Sequence, residues 1–371
     1  MTVYNEYPCN NNAFSETIKL VLDGIGKYYS CASFAIGKGT DVFVKICAGN
    51  SRDYSGEVRL NPDPKPITPN TLYDMASVSK LVSTTMVALK LMEHGKITLY
   101  DSVGRYFDID SPYANADILA LMTHTSGIAP HISLENVCSS PYDVVRCILE
   151  SKPVSPIGKE VHYSCMGYIL LAKILEKVGG KPLDVLAREL VFEPLGMNST
   201  CYNPTSDDVA ATEYSCIFNR YLCGRVHDEN AFYQGGVSGN AGVFSTIDDM
   251  IRFGSMLSCR GKIYGKTFIP RRIFDLATHD FTPNNLEDRG LGFSLKGWDI
   301  SASGELTTPD SYGHNGFTGT SVYCDGKTGV FMILLTNSVH YGRENRGDFF
   351  RSRRIFHNLA LLEADAFLGI D

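Results

Sequence analysis

A chain of 371 residues can bury a large hydrophobic core, and single enzymatic units of this size are common. Hydrophobic residues make up 44% of the chain and charged residues 20%, which is ordinary for a folded soluble protein and argues against disorder. The formal net charge of -7 provides no basic face for a nucleic acid. We therefore expect a globular protein that does not bind nucleic acid.

The eleven cysteines are scattered and contain no C-x-x-C pair, so neither a zinc ribbon nor a dithiol redox motif is indicated. Their odd number and irregular spacing favour free thiols in a reducing cytoplasm. The nine histidines never form H-E-x-x-H, and we expect no metal and no cofactor.

The first fourteen residues are polar and lack the apolar run of a secretory signal. The longest apolar stretches, Tyr168 to Leu175 and Val330 to Leu335, are far shorter than the roughly 18–20 residues that span a bilayer. We expect a cytoplasmic protein without a membrane span, unless a signal has been removed from the chain. Its oligomeric state is left open.

The N-terminal part begins with apolar positions at helical spacing from Phe14 to Tyr28. Two strand-like runs, 33–36 and 41–46, are joined by a glycine-containing turn and predict a hairpin. A proline-rich loop, 61–70, leads to a long apolar helix that we expect to extend from Ser77 to near Gly95.

The middle of the chain has mainly helical patterns. The predicted helices cover Ile118 to Met122, Pro141 to Leu149, Met166 to Val178, Pro182 to Val191 and a segment that follows Ser245 and ends near Leu257. Between them, Asp207 to Glu229 lacks clear periodicity and is predicted as loop.

The C-terminal part changes to strand patterns at 293–295, 320–324 and 329–335, and 348–368 predicts a closing helix. Strands at both ends and helices in between predict an α+β (or α/β) fold, in which an antiparallel sheet built from both chain ends is flanked by helices and carries an inserted helical lobe. We expect one catalytic unit, 1–371, with one lobe at about 14–75 and 290–371 and a second at about 76–289.

The segment Ser77-Val78-Ser79-Lys80 opens the long helix. A serine and a lysine three residues apart on a helix are neighbours, with Cβ atoms roughly 5–6 Å apart. The free N–H groups and positive dipole end of the helix favour an oxyanion formed at Ser77. Because S-x-x-K also arises by chance, a solvated first helical turn is the alternative interpretation.

Two further segments favour the catalytic interpretation over the solvated helical turn. Tyr163-Ser164-Cys165 stands at another helix start, and glycines flank His314-Asn315-Gly316. With these three motifs in this order, the chain resembles the serine β-lactamase and penicillin-binding protein superfamily. The nearest branch holds class C β-lactamases, D-Ala-D-Ala carboxypeptidases, D-amino-acid peptidases and β-lactamase-like esterases. The motifs correspond to its S-x-x-K, Y-x-N and K-T-G or H-x-G, and the resemblance covers roughly residues 30 to 340.

The resemblance implies acyl transfer, in which Ser77 attacks a carbonyl to form an acyl-enzyme. Lys80 and Tyr163 are the candidate bases, and the sequence does not decide between them. The backbone N–H groups of Ser77 and Phe317 would form the oxyanion hole, Phe317 lying on an edge strand that begins at the third motif. There Asn315 and Gly316 would let the strand approach the substrate closely.

Two positions depart from the family pattern. Cys165 replaces the asparagine that is expected to bind the substrate amide, and a thiol is a weak hydrogen-bonding group. His314 replaces the lysine of β-lactamases and matches the peptidase and esterase variants. We expect His314 to be partly charged at neutral pH, to bind a substrate carboxylate more weakly as pH rises, and to lower the pKa of Lys80.

Four other residues are weaker candidates: His124 and His131 beside the site, and Trp298 and Tyr312 as groove-lining aromatics. Packing is the preferred interpretation for each. The expected function is a serine hydrolase of small esters, amides or D-amino-acid peptides. The alternatives are a D-Ala-D-Ala carboxypeptidase or D-aminopeptidase, a class C-like β-lactamase, and a binding module that holds a penicillin or peptide without turnover.

Overall fold

The computed structural model describes residues 2–53, 64–283, 288–297, 301–344 and 346–370. Its strands, in chain order, are β1 (Val3–Asn5), β2 (Cys31–Lys38), β3 (Asp41–Gly49), β4 (Tyr73–Asp74), β5 (Cys201–Tyr202), β6 (Tyr214–Ser215), β7 (Arg220–Tyr221), β8 (Val243–Ser245), β9 (Lys262–Ile263), β10 (Lys266–Thr267), β11 (Ser294–Leu295), β12 (Tyr312–Asn315), β13 (Ser321–Cys324) and β14 (Val330–Thr336).

The α-helices are α1 (Ser15–Gly24), α2 (Met86–Glu93), α3 (Ile118–Met122), α4 (Leu134–Val137), α5 (Val144–Leu149), α6 (Cys165–Gly179), α7 (Leu183–Ala187), α8 (Glu193–Leu195), α9 (Glu229–Tyr233), α10 (Ile247–Ser258), α11 (Arg271–Ala277) and α12 (Gly347–Leu368). Two π-helical segments, Lys80–Thr85 and Arg188–Phe192, lead into α2 and α8. Single 3₁₀ turns lie at Pro8–Asn10, Val103–Arg105 and Pro141–Asp143.

Strands from both ends of the chain form one antiparallel sheet, which has seven strands among the described residues, in the order β1-β3-β2-β14-β13-β12-β11. The β2–β3 hairpin brings the N-terminal strands together, and β14 joins them to the C-terminal strands through pairs such as Ile333 with Ala35. The predicted fold class is therefore confirmed: an antiparallel sheet built from both chain ends, with helices against it.

The strand β14 shows why this sheet is covered on both faces. All seven of its residues are buried, and alternate side chains enter different cores. Met332 packs into the cluster that contains residues of α1 and α12, and Ile333 packs into the cluster that contains α10 and the helices of the chain's middle. A strand buried on both faces has a continuous apolar sequence, as here.

Two local predictions were wrong. The segment 207–229 is not all loop, because Tyr214 and Tyr221 pair across β6 and β7 with their ring centroids 5.4 Å apart. Strands of two residues leave no periodic pattern to detect. In addition, β12 is not an edge strand, since β11 pairs on its outer side. The long helix is present as predicted, and its segment Lys80–Thr85 is π-helical, a feature often found at functional sites.

No helix in the described part of the chain is both long and apolar enough to cross a membrane. All eleven cysteines are free thiols.

Candidate active site

Ser77 follows a strained turn at the end of β4. Ala76 has a φ of 44°, which is uncommon for a residue other than glycine. Its backbone N–H donates to Oδ1 of Asp74 at 2.8 Å, and this buried carboxylate holds the turn. The strain therefore lies directly before the candidate nucleophile, where functional sites commonly store it.

Lys80 lies one turn beyond Ser77 and is fully buried. Its Nζ donates to Oγ of Ser77 at 3.1 Å, to the backbone oxygen of Asn240 at 3.0 Å and to Sγ of Cys165 at 3.5 Å. The structure thus brings together the serine and the lysine of the first motif. It also places Cys165 against the lysine.

The pKa of Lys80 does not move as the sequence suggested. Burial lowers the pKa of this ammonium, but the negative charge that Cys165 and Tyr163 can carry beside it outweighs burial, and the net pKa is raised above its ordinary value. The expected lowering of the Lys80 pKa was therefore wrong. Lys80 carries its proton at neutral pH.

Tyr163 stands against Lys80, with Nζ 4.9 Å from the centroid of its ring. Its hydroxyl is buried and has no hydrogen-bond partner among the described residues. The guanidinium carbon of Arg289 lies 5.3 Å from the same ring. Two cations therefore lie against the ring of Tyr163.

His124 packs against Tyr163, with the two ring centroids 4.5 Å apart. Its Nδ1 accepts the backbone N–H of Ser164 at 3.0 Å, which fixes the chain at the residue after Tyr163. Burial, followed by the charges of Arg289 and Lys80, holds the pKa of His124 well below its ordinary value, so the ring is neutral. This residue was only a weak candidate in the sequence.

The third motif lies on β12 and in the turn after it. His314 is buried, and its Nδ1–H donates to the backbone oxygen of Asn315 at 2.8 Å. Burial, together with the cations of Lys80 and Arg289, lowers the pKa of His314 to about 3. The expectation of a partly charged histidine that binds a carboxylate and loses it with rising pH was therefore wrong.

Gly316 allows a close approach between this turn and the serine turn. A Cβ added at Gly316 would lie 2.1 Å from Oγ1 of Thr320 and 2.6 Å from the backbone oxygen of Met75. Oγ1 of Thr320 in turn donates to the same Met75 oxygen at 3.1 Å, and Oγ1 of Thr318 donates to the backbone oxygen of Asp74 at 2.7 Å. Two hydroxyls thus brace the turn of Phe317 against that of Ser77.

The two expected oxyanion donors are unengaged. Within the described part of the chain, neither the backbone N–H of Ser77 nor that of Phe317 has a hydrogen-bond partner. Phe317 lies in the turn between β12 and β13 rather than on an edge strand, which corrects its predicted position. The residue is 47% exposed, and its ring stacks on His227 at a centroid distance of 5.8 Å.

These residues surround one cavity of about 360 Å³. Its lining residues are Ser77, Tyr163, Arg289, Ser294, His314, Asn315, Gly316, Phe317, Phe350 and Arg353. Neither arginine in this wall, Arg289 or Arg353, was predicted from the sequence. Arg353 lies in the closing helix that the sequence predicts at 348–368, and the apolar Phe349 and Phe356 at helical spacing from it were the signal that this face is buried.

The remaining candidates lie elsewhere. Tyr312 is core, and its hydroxyl donates to the backbone oxygen of Leu257 at 3.0 Å. His131 is exposed and contacts Asn230, and Trp298 falls outside the described residues. Within the described ranges, no group of three or more histidine, cysteine, aspartate or glutamate side chains is placed to hold a metal ion.

The site contains a serine that accepts a hydrogen bond from a buried lysine, a tyrosine close by and two unengaged N–H groups at the cavity. This combination is that of a serine hydrolase of the S-x-x-K type. The sequence profile of the family described as Beta-lactamase matches residues 42–355, and the chain belongs to this family. This confirms the superfamily that the motifs indicated.

Comparisons with individual proteins agree with this assignment. The chain is 31% identical to an Escherichia coli (strain K12) protein provisionally named a D-alanyl-D-alanine carboxypeptidase, over 84% of this chain and 79% of that protein. EstCE1, described as a hydrolase with promiscuous acyltransferase activity, superposes with a TM-score of 0.76 at 18% identity, covering 94% of this chain and 99% of that one. A class C β-lactamase from Rhodobacter sphaeroides gives 0.73 at 17%, covering 95% and 99%. These structural likenesses show the fold.

Proposed function

We propose that the protein hydrolyses small esters, amides or D-amino-acid peptides through an acyl-enzyme on Ser77, as one catalytic unit whose cavity lies between the sheet and the helices. The observation that carries this proposal is the 3.1 Å hydrogen bond from Lys80 to Oγ of Ser77, opposite the unengaged N–H groups of Ser77 and Phe317. Ser77 and Phe317 both line the cavity, and the Lys80 ammonium contacts Ser77, so nucleophile, cation and oxyanion donors are available to one bound carbonyl.

Tyr163 is the proposed base. The raised pKa of Lys80 means that its amine already holds a proton at neutral pH and has no lone pair to accept another. The Tyr163 hydroxyl has no hydrogen-bond partner among the described residues, and its ring centroid lies 4.9 Å from the Lys80 ammonium. Lys80 therefore acts as the fixed cation beside the proposed base.

The reaction then has two balanced halves. The Tyr163 phenolate takes the Ser77 proton as Oγ attacks the carbonyl, and the negative oxygen is held by the N–H groups of Ser77 and Phe317. Collapse expels the alcohol or amine, which receives the proton from Tyr163. In the second half, Tyr163 takes a proton from water as the water attacks the acyl-enzyme. The acid is released, and Tyr163 returns the proton to Oγ of Ser77.

Intact-mass measurements with p-nitrophenyl acetate and with benzylpenicillin test this proposal. We expect wild-type protein to turn over the ester and to gain one acyl mass, and Ser77→Ala to do neither. Ser79→Ala is the control, since Ser79 lies in the same motif and its Oγ accepts the backbone N–H of Val243. Absence of turnover and adduct with both substrates in wild type would refute the proposal.

A D-Ala-D-Ala carboxypeptidase is the second candidate, because the similar Escherichia coli protein carries that name. A persistent penicillin adduct with release of D-alanine from an acyl-D-Ala-D-Ala peptide would favour it. Rapid loss of the penicillin adduct would instead favour a β-lactamase, and a permanent adduct without turnover of the ester or the peptide would favour a binding module.

A further inference from the structure

His124 stands where α3 ends, in a backbone conformation that a glycine usually takes. Its φ is 60°, and the N–H of Thr125 donates to the backbone oxygen of Ala120 at 2.9 Å, which is the 6→1 hydrogen bond of a Schellman motif. A histidine in this conformation is uncommon, and this one is only 3% exposed. An unusual backbone angle at a buried residue next to a site calls for a contribution from the side chain.

His124 holds the chain on both sides of Tyr163. Its backbone oxygen accepts the N–H of His162 at 2.9 Å, and Nδ1 of its ring accepts the N–H of Ser164 at 3.0 Å. These two hydrogen bonds fix the backbone at the residue before Tyr163 and at the residue after it. The His124 ring also packs on two tyrosines, with its centroid 4.5 Å from that of Tyr163 and 5.1 Å from that of Tyr168.

The ring of His124 must be neutral to make the second of these bonds. Nδ1 accepts the Ser164 N–H, so it carries no proton, and the proton of the ring is on Nε2. A protonated ring has N–H groups at both nitrogens and no acceptor. Burial, followed by the charges of Arg289 and Lys80, holds the pKa of His124 well below its ordinary value. The fold therefore keeps the ring in the form that this contact needs.

Tyr163 is not held by its own hydroxyl, which is buried and has no hydrogen-bond partner among the described residues. Its position depends instead on the backbone on either side of it and on the rings packed against it. The residues after Tyr163 have further hydrogen-bond partners at 129–130, whereas the backbone N–H of His162, before it, is bonded to His124. Loss of His124 should therefore release the tyrosine on one side and loosen it on the other.

We propose that His124 is a positioning residue for Tyr163, whose phenol it holds at the wall of the Ser77 cavity through its two hydrogen bonds and its ring. The proposal rests on the proposed function, in which Tyr163 is the base, and adds the residue that sets the geometry of that base. His124 is not among the residues that line the cavity, so it acts through Tyr163. It should therefore affect the rate of the reaction more than the binding of the substrate.

Two substitutions separate the Nδ1 acceptor from the backbone conformation. Glycine adopts a φ of 60° without strain and has no acceptor, so His124→Gly should lower kcat for p-nitrophenyl acetate by about 10²-fold, the cost of a base displaced by about 1 Å. KM should stay within a few-fold of wild type. Asparagine tolerates the same conformation and carries Oδ1 where histidine carries Nδ1, so His124→Asn should keep a kcat at least about tenfold above that of His124→Gly. A wild-type kcat in His124→Gly, or equal losses in the two variants, overturns the proposal.

A double-mutant cycle with Tyr163→Phe tests whether His124 acts through the tyrosine. Once the hydroxyl is removed its position no longer matters, so His124→Gly should change the residual kcat of Tyr163→Phe by no more than about twofold. An equal loss in both backgrounds overturns the proposal, because His124 would then act on another part of the site. His131→Gly is the matched control, since His131 is exposed, and it should leave kcat unchanged in both backgrounds.

Hydrogen–deuterium exchange separates this proposal from the catalytic one, because it needs no turnover. On Ser77→Ala protein, the segment 162–164 should exchange at least about tenfold faster with His124→Gly than with His124 or with His124→Asn. Unchanged exchange in this segment overturns the positioning role and leaves the acyl-enzyme on Ser77 standing. Faster exchange supports the two hydrogen bonds of His124 even where wild-type protein is not acylated, in which case the proposed function alone fails.

Discussion

The brace between Thr318 and Asp74 should control the rate of the reaction more than the binding of its substrate. Oγ1 of Thr318 donates to the backbone oxygen of Asp74 at 2.7 Å, and both residues are buried. This bond joins the turn that carries the Phe317 N–H to the turn that carries Ser77. In Thr318→Val the shape of the side chain is kept and the donor is lost.

The expected loss of stability is about 1–3 kcal/mol, the usual cost of leaving a buried acceptor without its donor. If the Phe317 N–H moves out of line with the oxyanion, the loss of one such donor reduces kcat by about 10²–10³-fold at most. KM should change little, because the oxyanion forms after the substrate binds. Urea unfolding and steady-state kinetics with p-nitrophenyl acetate measure the two effects.

Thr318→Ser retains the hydroxyl and serves as the matched control, with kcat within a few-fold of wild type. The reasoning fails if Thr318→Val is destabilised as expected but keeps the wild-type kcat, since the hydrogen bond would then stabilise the fold without positioning the N–H group. It also fails if Thr318→Ser loses kcat as fully as Thr318→Val does, because the hydroxyl would then not be the relevant group.

Three further predictions follow from the site. Tyr163→Phe should lower kcat by about 10²–10⁴-fold with an unchanged far-ultraviolet circular dichroism spectrum, and full activity would exclude the tyrosine as base. Lys80→Met should abolish ester turnover and lower stability by about 1–3 kcal/mol, because it leaves the buried backbone oxygen of Asn240 without its donor; wild-type turnover by this variant would contradict the role of Lys80. Stability should fall as pH is lowered from about 6.5 towards 3, because burial lowers the pKa of His314 and His357 from the ordinary 6.5 to about 3 and only the unfolded chain takes up protons in this range. A urea midpoint that stays constant over that range would show that neither histidine is held neutral.

The neighbouring positions in the first motif could be predicted from sequence because they depend on helix geometry. Ser77 and Lys80 are one turn apart in any helix, and the 3.1 Å contact follows once Lys80 is buried. The antiparallel sheet could be predicted for a similar reason, since strands of four to nine residues carry enough apolar residues to be recognised. Where β6 and β7 have two residues each, no such pattern exists.

The charge states of the site could not be predicted, because they depend on burial and on cations brought in from distant parts of the chain. His314 has an ordinary pKa in the sequence and a pKa of about 3 in the fold, where Lys80 and Arg289 face it. Arg346 and Arg351 are the same residue type in the same basic segment, yet Arg346 is buried against Phe317 and Arg351 is exposed. Only packing separates them.

These charge states assign the separate tasks of the site. The rings of His124 and His314 both lie near Tyr163, with centroids 4.5 Å and 6.0 Å from its own, and burial keeps both histidines neutral. The positive charge beside the phenol therefore comes from Lys80 and Arg289, neither of which titrates near neutral pH. A fall in kcat/KM below about pH 6.5 would thus require a histidine in the site to become charged. Burial of both histidines opposes that charge. In the proposed mechanism, the positive charge beside Tyr163 is therefore fixed by the fold and does not vary with pH in the physiological range.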